Sequence, residues 1–305
     1  MRDAFINTLL DIAKKDKNVF LVTGDLGFGV LDPFIQQFPD QYINAGVSEQ
    51  NMTSMATGLA LEGKIVFTYS IGNFPTLRCL EQIRNDCAYH QANVKIVCVG
   101  GGFAYGALGM SHHATEDLSI MRALPNVSVF SPGDQHEAEW ATKAVYSYPG
   151  ACYIRLGRGG GKQIHQQPLQ CEIGKAIQIF EGETIAIFST GAILDEVMEA
   201  KKILMNHNIK PAIFSFPTIK PIDKAIIQKC ASRYEHIVTV EENNIIGGFG
   251  SAVAEVISEF DQPKAKLIRM GMNDQYSSVV GSQEYLREIY HLNGQSIADR
   301  ILALM

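Results

Sequence analysis

Short runs of β-branched and aliphatic residues alternate along the chain with longer stretches whose apolar positions recur at helical spacing. That alternation is the signature of βαβ units with right-handed crossovers, so the expected fold class is α/β with mainly parallel sheets. In the first half the apolar runs predict strands at 18–24, 64–70, 93–101, 126–133 and 151–157. The second half predicts strands at 184–190, 211–216, 236–243 and 265–271, with helices from Ile193 to about His207 and around Asp223 to Tyr234. A further helix opens at the GGFG of residues 247–250. Between the halves, RGGGKQIHQQPLQCEIGK is rich in Gly and Gln and shows no clear period, so it reads as a connector. The expectation is a first domain over 1–165, a linker over 166–182 and a second domain over 183–305. Neither half repeats the other.

The most informative stretch is YINAGVSEQNMTSMATGLALEG, residues 42–63. Met52, Met55, Ala56 and Leu59 mark one apolar face of a helix, and Glu49 stands at its start. Taken alone, a glutamate in a first turn complements the helix dipole and needs no other explanation.

Composition narrows the class. With 305 residues, 46% hydrophobic and 19% charged, the chain has apolar material for one large or two medium domains, which argues against disorder. A net charge of -6 with both signs interspersed leaves no electrostatic footprint for nucleic acid or an anionic membrane. The N-terminal MRDAFINTLLDIAKKDKN carries charges within its apolar stretch and reads as neither a signal peptide nor a membrane span, so a cytoplasmic location is expected. Cys79, Cys87, Cys98, Cys152, Cys171 and Cys230 are scattered without a CxxC pair, which argues against zinc and redox motifs and for reduced structural thiols. Neither GGGFAYG nor GGFG fits the dinucleotide or Walker phosphate-loop spacing.

INAGVSEQNM (43–52) resembles the segment that transketolases, 1-deoxyxylulose-5-phosphate synthases and 2-oxoacid dehydrogenase β subunits use to activate thiamine diphosphate. The resemblance continues, in the family's order, through TYSIGNFPTLRCLEQIRND (68–86), GFAYGALGMSHHATEDLSIMRALPNVSVFSPGD (102–134), YIRLGRG (153–159) and EENNIIGGFGSAV (241–253). It implies a pyrimidine-binding domain followed by the smaller C-terminal domain, without the diphosphate-binding domain. The chain is then one half of a split transketolase that transfers a two-carbon ketol unit from a ketose to an aldose.

The resemblance also implies roles. Glu49 would be the catalytic acid on N1′ of the thiamine pyrimidine, favouring the tautomer that takes up the proton; burial would raise its pKa and keep it protonated. Asp25, just past a strand's C-terminal end, would face the cofactor, its plain alternative being a turn residue. Phe74 would pack on the aminopyrimidine, with a core phenylalanine as the alternative. Arg78 would lie near the cofactor. His112 matches the histidine that hydrogen-bonds substrate oxygens, and His113 a less central position. Arg155 and Arg2 match arginines that bind a substrate phosphate; salt bridging is the alternative for both. Two departures stand out, Leu108 in place of an aspartate that reads a substrate hydroxyl and Gly100 in place of a phosphate-contacting histidine, and they point to a modified, deoxy or branched sugar.

The metal motif is missing. Gly24-Asp25-Leu26 lacks the second glycine of GDG, and Asn51 belongs to the Glu49 helix. The Mg2+ or Ca2+ that holds the cofactor's diphosphate is therefore expected on a partner, an N-terminal transketolase subunit, in an α2β2 assembly. The rival readings are a 2-oxoacid dehydrogenase β-type or deoxyxylulose phosphate synthase-like subunit, and a non-catalytic scaffold.

Overall fold

The structure, a computed structural model, describes residues 1–159, 161–261 and 263–305. The first sheet draws on β1 (Val19–Thr23), β2 (Tyr42–Asn44), β3 (Ile65–Ile71), β4 (Val94–Val99), β5 (Val127–Phe130) and β6 (Ala151–Leu156). The second half contributes β7 (Ile177–Phe180), β8 (Ala186–Ser189), β9 (Ala212–Ser215), β10 (Thr218–Lys220), β11 (His236–Asn244) and β12 (Lys266–Met272). Their orders are β10-β5-β6-β4-β3-β1-β2 in one sheet and β12-β11-β8-β9-β7 in the other. All neighbours run parallel except β10 on β5 and β7 on β9. The α/β class with two mainly parallel sheets is therefore what the chain adopts.

Strands β4, β5 and β6 are buried along their whole length, as helices on both faces of a parallel sheet require. One face packs on the Glu49–Leu61 helix, whose Met52 and Ala56 are fully buried and whose Met55 and Leu59 are partly so. Phe5, Leu9, Trp140 and Ala141 cover the other face from the Arg2–Ala13 and Gln135–Ser147 helices. Lys95 is among the buried charges, and its Nζ donates to Tyr148 O at 2.6 Å and Gly150 O at 2.7 Å. Those bonds compensate its desolvation, which pushes the amine below its ordinary value.

Each of the nine expected strands is present, with shifted ends. Three short ones, β2, β7 and β10, were not expected. β7 lies inside the span read as linker, and β10, from the second half of the chain, joins the first sheet. The connector is also pinned down: Asp134 accepts from Ile164 N at 3.0 Å and His165 N at 2.8 Å, and Trp140 Nε1 donates to Cys171 O at 2.8 Å. Of the six cysteines, all of them free, five are buried and Cys171 is half-buried; burial raises Cys79 to about 11 and Cys87 to about 12. None of the described helices is long and apolar enough to cross a membrane.

Candidate active site

The order in which successive strands are laid down reverses at β1, which pairs in parallel with β2 on one side and β3 on the other. Ligands in open α/β sheets bind beyond the strand C-termini at such a reversal. Asp25, Glu49 and Phe74 all follow strands that end there.

Glu49 opens its helix and is only 2% exposed. Gly24 leaves room for it, since a Cβ there would stand 3.3 Å from Glu49 Cγ. Thr53 and Thr57 bond back to the carbonyls of Glu49 and Thr53. Arg78 Nη1 donates to Glu49 Oε2 at 2.8 Å, an ion pair within the chain itself. The Arg78 guanidinium also lies over the Phe74 ring, 4.5 Å from its centroid.

Phe74 turns out of β3 through Phe74 N→Ile71 O (2.9 Å), and its ring meets that of His112 edge-on at 5.1 Å between centroids. Two features hold the His112 loop against this turn. Asn73 Nδ2 donates to His113 O at 2.6 Å, and Gly72, at φ 43°, lets the backbone pass so close that a Cβ would lie 3.1 Å from His112 O. His112 is half-buried, and desolvation, with His113 second, holds its imidazole below the ordinary value of 6.5. The ring is neutral at neutral pH, able to donate from one nitrogen and accept at the other. His113 is buried, with Nε2 at 3.0 Å from Gly106 O, and serves the loop's architecture.

Beyond His112 the row continues to Tyr105, 6.4 Å away between centroids, and to Arg158, whose Cζ lies 4.9 Å over the Tyr105 ring. Arg2 is half-buried near the same place, its charge acting on Tyr69 and Tyr105. A line thus runs along the strand ends from the buried Glu49, through Arg78 and the rings of Phe74, His112 and Tyr105, to the half-buried Arg2 and the exposed Arg158.

Two of the expected residues stand apart from that line. Arg155 is 5% exposed and built into the interior: Nε donates to Asp117 Oδ2 at 2.9 Å, and Nη2 to Ala114 O at 2.7 Å and Glu242 O at 2.8 Å. These internal partners are the salt bridging that stood as the alternative to a substrate phosphate; the exposed arginine of YIRLGRG is Arg158. Asp25 is exposed in the left-handed region at φ 56°, clasped to Asn44 by bonds of 2.8 and 3.1 Å. It caps the ends of β1 and β2 at the rim of the crevice, with no contact to Glu49 among those found. Sequence reasoning missed Asn44, Asn73, Tyr105 and Arg158. A usable signal existed for Arg158 in its place beyond the strand, where a side chain leaves the buried sheet.

Thiamine's pyrimidine is a flat ring that needs an acid at its edge and an aromatic face beneath it. The flat guanidinium of Arg78 makes both contacts here, with Glu49 and Phe74, so the residues present are of the kinds such a ring needs. Among the described residues no group of three or more His, Cys, Asp or Glu is placed to hold a metal ion.

A buried acid is thus linked through Arg78 to an aromatic ring and a histidine beyond the C-terminal ends of a parallel sheet, the place where open α/β proteins bind ligands. Family profiles match the transketolase pyrimidine-binding domain over residues 1–162 and the transketolase C-terminal domain over 174–297. A Methanocaldococcus jannaschii protein, provisionally described as a transketolase C-terminal section, is 40% identical over 308 aligned residues, covering 100% of this chain and 96% of its own. One of the subunits of the apulose-4-phosphate transketolase of Phocaeicola vulgatus is 34% identical, covering 86% of this chain and 85% of its own. Among solved structures, a split-gene transketolase described as an inactive β4 tetramer superposes with a TM-score of 0.88 at 32% identity, covering 99% of this chain and 96% of its own. The chain belongs to the transketolase family and corresponds to its C-terminal section.

Proposed function

We propose that this chain is the pyrimidine-binding half of a two-chain, thiamine-diphosphate-dependent transketolase, moving a two-carbon ketol unit from a ketose to an aldose. The observation that carries this reading is the row from buried Glu49, through Arg78 and Phe74, to His112. When bound, thiamine diphosphate supplies the nucleophilic carbon and the electron sink for carbon–carbon cleavage. Glu49 offers a fixed hydrogen-bonding carboxyl at the base of the slot, and Phe74 fixes the plane of whatever lies on it. Arg78, half exposed, swings aside to share Glu49. His112 meets the oxygens of the substrate near the reacting carbon, donating to an oxygen that gains charge and accepting from a hydroxyl. Arg2 and Arg158 lie farther out, where a charged end of the substrate would reach. Asp25, at the rim, is assigned a supporting place beside the cofactor.

The diphosphate and its Mg2+ or Ca2+ belong to a partner that carries the N-terminal, diphosphate-binding domain. This is supported by the split-gene transketolase on which the chain superposes and by the relative described as one subunit of a transketolase. Two copies of each chain in the cytoplasm make the working enzyme. Mixing the subunit with such a partner and thiamine diphosphate, with a ketose donor and an aldose acceptor, tests the reading. Transfer is expected, and Glu49→Gln lowers kcat by roughly 100-fold or more, the usual scale of a lost catalytic acid, with an unchanged melting curve. A Glu49→Gln complex as fast as the wild type overturns it.

A further inference from the structure

One side chain beside the reactive line has no role yet: Tyr105. Its ring lies where a side chain at position 100 would be. Gly100 has φ +89°, and a Cβ there would sit 2.1 Å from Tyr105 Cδ2 and 2.2 Å from Cε2. A residue other than glycine at 100 and the Tyr105 ring thus exclude one another, by strain and by overlap. The ring is held on two further sides, by His112 at 6.4 Å and by the Arg158 guanidinium at 4.9 Å. It borders a cavity of about 440 Å3 that Leu108, Arg158, Gln283 and Glu284 also line, large enough for the outer end of a sugar derivative.

The polar groups around this cavity favour an anion. Arg158 is exposed and makes no ion pair among the described residues; stacked on a ring, its flat fork is already oriented and loses little freedom on binding. Arg2 adds a second charge close to Tyr105. Glu284 is the one acid on the cavity wall. Burial raises the Tyr105 phenol above its ordinary value of 10, so at neutral pH the hydroxyl keeps its proton and donates.

We propose that Tyr105, admitted by Gly100 and backed by Arg158, selects the donor ketose by its far end, donating a hydrogen bond to a tetrahedral oxyanion there, a phosphate or a sulfonate. This rests on the transketolase reading for the identity of the ligand as a ketose. Leu108, 56% exposed at the mouth, adds an apolar wall and no hydroxyl contact, so discrimination falls on the charged terminus.

The test uses the reconstituted two-chain enzyme with three donors: erythrulose, which is uncharged, xylulose 5-phosphate, and a ketose bearing a terminal sulfonate. The readout is the ratio of kcat/KM for each charged donor to that for erythrulose. Tyr105→Phe, which keeps the ring and removes only the hydroxyl, is expected to lower that ratio about tenfold, the scale of a hydrogen bond to a charged group, through KM rather than kcat. Arg158→Gln lowers it further. A fall for the phosphate alone, the sulfonate alone or both identifies the anion and supports the assignment; an unchanged ratio in Tyr105→Phe overturns it. A second arm needs no turnover. Inorganic phosphate is expected to raise the melting temperature of the full-length wild-type subunit, and to raise that of Tyr105→Phe less. A phosphate shift that depends on Tyr105 without ketol transfer from any donor sinks the transketolase reading alone. Transfer with equal shifts in both proteins sinks the Tyr105 assignment alone.

Discussion

Arg78 serves two neighbours at once, the Glu49 carboxylate and the face of Phe74, and its side chain is 46% exposed while that of Glu49 is 3% exposed. The asymmetry decides what each residue does. An acid so enclosed cannot recover its hydrogen bond from water, whereas the arginine can leave at small cost. Arg78→Ala is therefore expected to destabilise the subunit by about 1–3 kcal/mol, the scale of a buried acceptor left without its partner, as read by urea denaturation. In a Glu49→Gln background the same change should cost far less. A double-mutant cycle with no coupling between the two positions would refute the pairing. At this scale sequence reading drew on chemistry and local element together, and the structure brings Glu49 at a helix start, Phe74 in the turn after β3 and His112 in a glycine-rich loop into one row. Sequence reading named Arg155 and passed over Arg158, three positions apart in one block, because only the strand's end tells the buried arginine from the exposed one. Tyr105 was invisible for another reason. Its place depends on an approach to Gly100 that no periodicity encodes.

Among elements, the strands legible in the sequence are those buried on both faces, where β4, β5 and β6 read as continuous apolar runs. β2, β7 and β10 have three or four residues each, lie at sheet edges and are not buried along their whole length, so no continuous apolar run marks them. One helix carries a device that also escaped notice. Glu241, wholly buried on β11, accepts from Phe249 N at 2.7 Å and Gly250 N at 2.8 Å, capping the Phe249–Ser258 helix. Desolvation raises its pKa from 4.5 to about 7 despite those two bonds. An acid raised in the folded state binds its proton there more readily than in the unfolded chain. Its contribution is complete below 4.5 and is lost as the pH rises through about 7. Denaturation midpoints taken across that window should fall with rising pH in the wild type and fall less steeply in Glu241→Gln. Parallel slopes would exclude Glu241 as the source.

In the whole molecule the two halves are joined by charge as well as by chain. Arg155 of the first half reaches Glu242 O, while the Glu242 side chain accepts from Phe103 N and Arg287 Nε, both at 2.5 Å, and from Gln283 Nε2 at 2.8 Å. Phe103 stacks on Tyr290 at 5.3 Å between centroids. The loop that carries His112 is therefore braced by the second domain, and a disturbance there is expected to reach the reactive line. Arg155→Met keeps the bulk but strands Asp117, which has no exposed surface. A cost of about 3–5 kcal/mol follows from leaving a buried charge unpaired, measurable as lost stability of the subunit with no substrate present. A variant as stable as the wild type would return Arg155 to the substrate contacts.

The strand β10 changes what the connector between the halves means. Severing the chain near 166–182 would leave the first sheet without its outermost strand, and β5 would then present bare amide and carbonyl groups to solvent, an invitation to stick to a neighbouring copy. The two halves are consecutive in sequence but interlocked in space. A fragment ending at the connector would be a wounded sheet in search of an edge, and any dissection of this protein must carry the borrowed strand along with the part that uses it.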